Sequence, residues 1–152
     1  MLYIGIIFLL VFLDQISKYE VDTWLVEGQT FPIVGEFFHL TYVKNRGIAF
    51  GMFQGKLDII SILTVLVIIG LGFYFFKNRK NLSVVEKLGY SFILGGAIGN
   101  IIDRIYRGFV IDMIDFRGIW VFVFNLADVW INIGVILIII DSLLDSKRKK
   151  KN

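Results

Sequence analysis

The sequence predicts an α-helical integral membrane protein with four transmembrane helices. Of its 152 residues, 57% are hydrophobic and only 19% are charged, a composition that excludes an ordinary soluble domain. Four stretches come close to the roughly 20 apolar residues that a span requires. They are residues 2–24, 57–76, 88–106 and 121–144. No internal repeat or second domain is visible, so residues 1–152 are predicted to form a single membrane-embedded domain.

Basic residues predict how these spans are oriented. Lys77, Arg79 and Lys80 follow the second span, and a basic tail begins at Lys147 after the fourth. Two spans separate these segments, so both lie on one side of the membrane, which the positive-inside rule makes the cytoplasm. We therefore expect both termini to be cytoplasmic.

The two outer segments differ in character. Residues 27–56 form the first, and its stretch 37–43 is rich in aromatic and β-branched residues, with glycines on both sides. This pattern predicts a small extracytoplasmic β-rich element. The second outer segment, residues 107–120, is short and contains Asp112 and Asp115. A helical connector there would place these two carboxylates on one face.

Asp128 lies inside the apolar string FNLADVWINIGVILIII. An Asp in the middle of a membrane helix costs roughly 2.5 to 3.5 kcal/mol on insertion scales, so it indicates a function and requires a partner. Candidate partners lie upstream in GNIIDR, residues 99–104, and in VIDMID, residues 110–115.

Polar side chains of separate segments are predicted to share one depth, in the outer leaflet. At about 1.5 Å per residue, each lies toward the outer end of its helix or in the connector beside it. They are Asp14, Asn100, Asp103, Asp112, Asn125 and Asp128. Snorkelling to the membrane surface does not explain Asp14 and Asp128, because a long apolar run adjoins each of them.

Two carboxylates in such a place suggest a specific chemistry. Close together in a low-dielectric site, they cannot both ionise, and they share a proton. The ionised one can accept a proton from water while the protonated one donates to a carbonyl oxygen or a leaving amine. The chain has no Cys, which excludes a cysteine nucleophile and thiolate metal sites.

Five motifs connect the chain to a known family. The strings GNIIDR, RIYRGFVID and FNLAD together resemble the lipoprotein signal peptidases, also called signal peptidase II. LDQISK, residues 13–18, and NRGIAF, residues 45–50, are similar to two further motifs of that family, in the expected order. The resemblance covers nearly the whole chain.

The resemblance implies an activity, a location and a set of partners. It implies an aspartic endopeptidase of the bacterial cytoplasmic membrane, with its active site toward the outer leaflet. The enzyme would remove the signal peptide of prolipoproteins just before a diacylglyceryl-modified cysteine, and globomycin would inhibit it. Its partners would be lipidated prolipoproteins and membrane lipid, with no nucleic acid. We expect a monomer that needs no cofactor and no metal.

The motif matches also imply roles for individual residues. Asp112 and Asp128 take the catalytic positions. The positions that bind substrate or orient the carboxylates are Asn45, Asn100, Arg104 and Asn125, and the supporting positions are Asp14 and Asp103. Met113 departs from the Phe that usually follows the first catalytic Asp. Asp115 therefore stays open as an alternative to Asp112, which the spacing from GNIIDR favours.

Simpler interpretations and other functions compete with this one. Gly95 and Gly99 form a GxxxG pattern that indicates helix packing, and Asp103 with Arg104 could be a plain interfacial ion pair. A metal-dependent lipid phosphotransferase could use Asp103, Asp112, Asp115 and Asp128 as Mg²⁺ ligands. A proton-coupled transporter should show repeated broken helices, which the sequence does not indicate. A Ser and Lys dyad is disfavoured because adjacent helical residues such as Ser17 and Lys18 point apart.

Overall fold

The structure, a computed structural model, describes residues 1–47 and 57–149 of the chain. For residues 57, 58 and 145–149 only the backbone is considered. The last three residues of the NRGIAF motif, the rest of the predicted outer loop up to residue 56 and the end of the basic tail lie outside the described residues.

Four long helices form the body of the described protein: α1 (Leu2–Trp24), α2 (Leu57–Asn78), α3 (Val84–Tyr106) and α4 (Leu126–Lys149). By length and composition, three of them are able to cross a membrane: Leu2–Trp24, Ile59–Asn78 and Leu126–Leu144. The predicted helical membrane class is therefore confirmed, with three candidate spans. The span predicted at residues 88–106 falls within α3, which is not one of these three, and this fourth span stays a prediction.

Two helices begin at residues other than the predicted ones. Helix α3 begins at Val84 rather than at residue 88, because Ser83 and Glu86 form a capping box. Helix α4 begins at Leu126 rather than at residue 121. The preceding residues are held beside a strand, and the side chain of Asn125 accepts a hydrogen bond from the backbone N–H of Asp128 at 3.0 Å. This is the position of an N-cap, which starts the helix there.

Helix α3 is the central helix, because α1, α2 and α4 all contact it. Its glycines permit close approach of the neighbouring helices. A Cβ atom on Gly95 would lie 2.9 Å from the Cβ of Leu10 in α1, and one on Gly96 would meet the backbone carbonyl of Ala127 in α4. The packing role predicted for the GxxxG pattern is therefore confirmed at Gly95, whereas Gly99 leaves space for a carboxylate of α1.

A three-stranded antiparallel sheet lies outside the helices. Its strands are β1 (Thr30–Val34), β2 (Phe38–Asn45) and β3 (Val110–Phe116), in the order β1-β2-β3. The first two lie in the first outer segment, as predicted. The third comes from the second outer segment. Asp112 and Asp115 therefore lie on a strand and not in a helical connector. Side chains alternate along a strand, so residues three apart point to opposite faces.

The sheet packs on the end of α1. Tyr42, Ile111 and Met113 are buried together with Val21 of α1. The hydroxyl of Tyr42 also donates a hydrogen bond to Asp22. Burial, followed by the hydrogen bond and charge of Asp22, raises the pKa of Tyr42 above its usual value, so the phenol stays protonated as a donor. This contact fixes β2 and β3 above the helices.

Candidate active site

Asp112 is buried on β3 and is held by two asparagine side chains. Asn45 at the end of β2 donates from Nδ2 to Oδ2 of Asp112 at 2.9 Å, and Asn125 donates from Nδ2 to Oδ1 at 2.6 Å. The amide of Asn45 is itself oriented, because its Oδ1 accepts the backbone N–H of Gly47 at 2.9 Å. Both oxygens of Asp112 therefore have fixed donors.

Asp128 lies in the first turn of α4. Asn100 of α3 donates from Nδ2 to Oδ1 of Asp128 at 2.9 Å, and the backbone N–H of Asn125 donates to Oδ2 at 3.3 Å. A negative side chain in the first turn also interacts favourably with the positive end of the helix dipole.

Asn125 joins the two carboxylates. Its Nδ2 donates to Asp112 at 2.6 Å and to Oδ1 of Asn100 at 3.2 Å, while its Oδ1 accepts the N–H of Asp128 at 3.0 Å. The side chain is 0% exposed. A single buried amide thus fixes β3, α3 and the start of α4 relative to one another.

A buried charge cluster lies behind these residues. Lys18 of α1 contacts Asp14 and Asp103, with a distance of 2.8 Å from its Nζ to a carboxylate oxygen in each pair. Asp14 also accepts the backbone N–H of Ala127 at 2.9 Å, next to the start of α4. A Cβ on Gly99 would meet the Asp14 carboxylate, so only glycine leaves space for it. The geometry places both Asp14 and Asp103 in a network behind the carboxylates.

Asp103 does not pair with Arg104, contrary to one interpretation of the sequence. Its carboxylate pairs with Lys18 and with Arg107, one turn further along the chain. The side chain of Arg104 lines the cavity described below, and its Nε is buried without a hydrogen-bond partner among the described residues. This guanidinium has donors available to a bound molecule.

Sequence reasoning missed three members of the charge cluster: Lys18, Gln15 and Arg107. Gln15 donates to Asp103 at 3.2 Å, and Arg107 donates to Gln15 at 3.3 Å. One available signal was the spacing of four residues from Asp14 to Lys18, which places a carboxylate and an ammonium on one face of a predicted span.

Asp115 lies on the other face of β3. Its Oδ2 accepts hydrogen bonds from Thr41 at 2.7 Å and from Nε of Arg117 at 3.1 Å. Of the two aspartates that the sequence left open, Asp112 is therefore the one that shares Asn125 with Asp128.

A cavity of about 1020 Å³ opens beside the two carboxylates, and Asp112 and Asp128 both line it. The other polar positions predicted to bind substrate or orient the carboxylates line it as well: Asn45, Asn100, Arg104 and Asn125. Apolar residues form a further wall: Phe37, Ile119, Trp120, Val121, Phe122 and Phe124. The cavity can therefore accommodate a molecule with both a polar and an apolar part.

Burial changes the acidity of Asp112. Removal from water, and then the negative charge of Asp128, raise the pKa of Asp112 to about 7, although hydrogen bonds from Asn45 and Asn125 and the charge of Lys18 oppose this. The carboxyl group is therefore able to hold a proton near neutral pH. At this site one carboxyl group can donate a proton while another accepts one.

The aspartates are not arranged as a metal site in the part of the chain that the structure covers. Within residues 1–47 and 57–149, no group of three or more His, Cys, Asp or Glu side chains is placed to hold an ion. Asp103 is bound to Lys18 and Asp115 to Thr41 and Arg117. The ligand set of the alternative Mg²⁺ enzyme is therefore not assembled.

The raised pKa of Asp112 gives a first prediction. Burial is the main cause of the raised pKa, and Asp128→Asn removes the second, the nearby negative charge, so the pKa of Asp112 should fall but stay above its usual value. Asn45→Ala removes a hydrogen bond to the carboxylate, so the same pKa should rise. Infrared difference spectra of the protonated carboxyl band, recorded against pH in detergent, measure both shifts. Shifts of equal sign in the two variants would contradict this account of the site.

Comparisons with known proteins find similar chains. A lipoprotein signal peptidase of Fusobacterium nucleatum subsp. nucleatum is 54% identical over 150 residues, which cover 99% of this chain and 91% of that protein. The lipoprotein signal peptidase of Clostridioides difficile is 47% identical over 140 residues, 92% of this chain and 93% of that protein.

Solved structures show the same fold. A bacterial membrane enzyme determined in meso at 2.3 Å resolution superposes with a TM-score of 0.91 and 36% identity, covering 99% of this chain and 92% of that one. A second, at 1.9 Å resolution, gives a TM-score of 0.83 and 36% identity, over 93% and 92%. The sequence profile of the family described as signal peptidase (SPase) II matches residues 6–144. The chain therefore belongs to the signal peptidase II family, a family of peptidases, as its five motifs predicted.

Proposed function

We propose that the protein is an aspartic endopeptidase that removes the signal peptide from diacylglyceryl-modified bacterial prolipoproteins. The observation that carries this proposal is the pair of carboxylates, Asp112 and Asp128, which line one cavity and share hydrogen bonds with Asn125. Membership of the signal peptidase II family and the name of the relatives, lipoprotein signal peptidase, support the substrate class.

The two carboxyl groups divide the acid and base work. Asp128 is ionised and accepts a proton from a water molecule, whose oxygen attacks the carbonyl carbon of the scissile bond. Asp112 is protonated and donates its proton to the carbonyl oxygen, which gives a neutral tetrahedral diol. The diol then collapses: the proton held by Asp128 passes to the leaving amine as the C–N bond breaks, and Asp112, now ionised, takes back a proton from one of the diol hydroxyls, which leaves a carboxylic acid. The raised pKa of Asp112 supports its role as the acid.

The remaining polar residues of the cavity orient the reacting groups or bind the peptide. Asn45 and Asn125 hold Asp112, and Asn100 holds Asp128, each by a hydrogen bond of 2.6–2.9 Å. Arg104 has donor groups available in the cavity, and we assign it to the carbonyl oxygens of the substrate. Asp14 and Asp103 support this arrangement through Lys18.

The apolar wall of the cavity suggests where the lipid of the substrate binds. Ile119, Trp120 and Val121 are 73%, 49% and 90% exposed, and all three line the cavity. They lie a few residues before α4, one of the three helices able to cross a membrane. A diacylglyceryl chain in the outer leaflet could contact them while the adjacent peptide bond enters the polar part of the cavity.

We also propose four spans, with α3 as the third, and a monomer in the bacterial cytoplasmic membrane. Helix α3 has 23 residues, enough to cross a bilayer, and its polar side chains Ser91, Asn100 and Asp103 are buried inside the protein. The basic residues between α2 and α3 support cytoplasmic termini and an active site toward the outer leaflet.

The catalytic assignment predicts that each carboxylate is required. Asp112→Asn and Asp128→Asn should each slow cleavage of a lipidated prolipoprotein by at least about 10²–10⁴-fold, the usual contribution of a general acid or base. Asp115→Asn is the matched control, because Asp115 lies on the same strand but faces away from the cavity. It should keep most of its activity. An inactive Asp115→Asn protein beside an active Asp112→Asn protein would show that the wrong aspartate is assigned.

The lipid assignment predicts a preference between two forms of one substrate. A purified precursor that carries the diacylglyceryl group should be cut far faster than the same precursor without it, because binding energy from the lipid positions the scissile bond. Globomycin should inhibit the cleavage. Equal rates for the two precursors, measured by gel shift at equal concentration, would point to a general peptidase instead.

The topology can be measured because the native chain contains no cysteine. Glu36→Cys lies in the exposed turn between β1 and β2, and Arg79→Cys lies in the exposed connector between α2 and α3. In spheroplasts, a membrane-impermeant maleimide should label the cysteine at position 36 directly and the one at position 79 only after permeabilisation. Labelling of both from outside would refute α2 as a span between these two positions.

A further inference from the structure

Lys18 is the only buried lysine among the described residues, and all of its donors are used. Its side chain is 0% exposed, and Nζ lies 2.8 Å from Asp14, 2.8 Å from Asp103 and 2.9 Å from Oδ1 of Asn100. An ammonium group has three N–H donors, which match these three acceptors. The third contact connects the charge cluster to the candidate active site.

The contact with Lys18 determines which way the Asn100 amide points. Oδ1 of Asn100 accepts from Lys18 and from Asn125, at 2.9 Å and 3.2 Å, while Nδ2 donates to Asp128 at 2.9 Å. A flipped amide would turn its NH₂ group toward the two donors and its oxygen toward the carboxylate. All three contacts would then be unfavourable, so the ammonium of Lys18 fixes the orientation that serves Asp128.

We propose that Lys18 is a positioning residue of the peptidase, which acts through Asn100 on Asp128 and places a fixed positive charge behind both carboxylates. This inference rests on the proposed function, because it assigns Lys18 a part in the same reaction. It goes beyond the ion pairs with Asp14 and Asp103, which alone would make Lys18 a structural counter-ion.

The charge of Lys18 acts on Asp112 together with charges from other elements. Asp128 faces Asp112 from α4, and Arg104 faces the same cavity from α3. From β2, Asn45 donates its neutral amide to Asp112, and Lys44 lines the cavity while paired with Glu27 at 3.5 Å. Helix α1 provides Lys18 and its ion-pair partner Asp14, and the charge of Lys18 lowers the pKa of Asp112. Without Lys18, Asp112 should hold its proton to a higher pH.

A counter-ion role and a positioning role can be separated by restoring the charge balance. Lys18→Met keeps much of the volume but leaves Asp14 and Asp103 with Arg107 alone, and an uncompensated buried carboxylate destabilises the fold. Adding Asp14→Asn removes that excess charge, and the Asn oxygen can still accept the N–H of Ala127. The double variant therefore recovers stability but still lacks the donor to Asn100.

The experiment compares wild type, Lys18→Met, Lys18→Met/Asp14→Asn and the control Lys77→Met, which removes a lysine at the far end of α2. Both Lys18 variants should lose about 10²-fold in kcat, the usual effect of misplacing a reacting group. KM should change little, and the alkaline limb of the pH profile should move to higher pH in Lys18→Met. The Lys77→Met protein should match wild type.

Two readings need no substrate. In Lys18→Met the pKa of Asp112, measured by infrared difference spectroscopy, should rise. The ¹⁵N NMR signal of the Asn100 side-chain amide should shift or broaden. Wild-type kcat in the double variant, or an unchanged Asn100 signal in Lys18→Met, would overturn the positioning role. Failure of the wild-type protein to cut a lipidated precursor would overturn the proposed function alone, because these two signals still test the contact with Lys18.

Discussion

The burial of Asn125 between two carboxylates is the constraint on which the rest of the site depends. Its side chain makes three hydrogen bonds, to Asp112 on β3, to Asn100 on α3 and to the backbone N–H of Asp128 at the start of α4. A buried amide with an unmade hydrogen bond costs roughly 1–3 kcal/mol, so each of these contacts favours one arrangement of the three segments. The strand and the helices are held in register by the same group that orients the carboxylates.

The helices permit this arrangement because α3 is lined with small residues. Gly96 allows the backbone of α4 to approach at Ala127, and Gly99 leaves space for the Asp14 carboxylate of α1. Asp14 in turn accepts the N–H of Ala127, one residue before Asp128. The polar network and the close packing therefore support each other, and a side chain on either glycine would disturb both.

Charge balance explains how so many ionisable groups are buried together. Asp14 and Asp103 lie against Lys18, and Asp103 also contacts Arg107. Breaking a buried ion pair is costly because it leaves an unpaired charge, so the cluster forms as a unit. Asp112 lies outside these ion pairs, and burial beside Asp128 raises its pKa to about 7. The ion-paired cluster thus lies behind Asp112, the carboxyl group that can exchange a proton near neutral pH.

Much of the candidate site could be predicted from the sequence. The cost of Asp128 in an apolar run and the depth of Asp14, Asn100 and Asn125 indicated a shared polar site, and the structure brings these side chains together. The predicted β element was correct for β1 and β2, whose aromatic and β-branched residues are typical of strands.

Other features depend on tertiary contacts that the sequence does not reveal. VIDMID is too short for its periodicity to separate a strand from a helix, and pairing with β2 decides the outcome. The start of α4 is fixed by the side chain of Asn125, which hydropathy does not detect. The contacts that Lys18 and Arg107 make across the interface of α1 and α3 form only when these two helices pack together, so the sequence does not show them.

A double-mutant cycle on the rate of cleavage tests the central claim most directly, because it asks whether Asp112 and Asp128 act as one unit. The rate is measured on a lipidated prolipoprotein for wild type, Asp112→Asn, Asp128→Asn and the double variant, after each protein is shown to be folded. Members of one catalytic unit are strongly non-additive, so the double variant should be little slower than the slower single variant. Losses that multiply in the double variant would show that the two carboxylates act independently and would contradict the shared site described here.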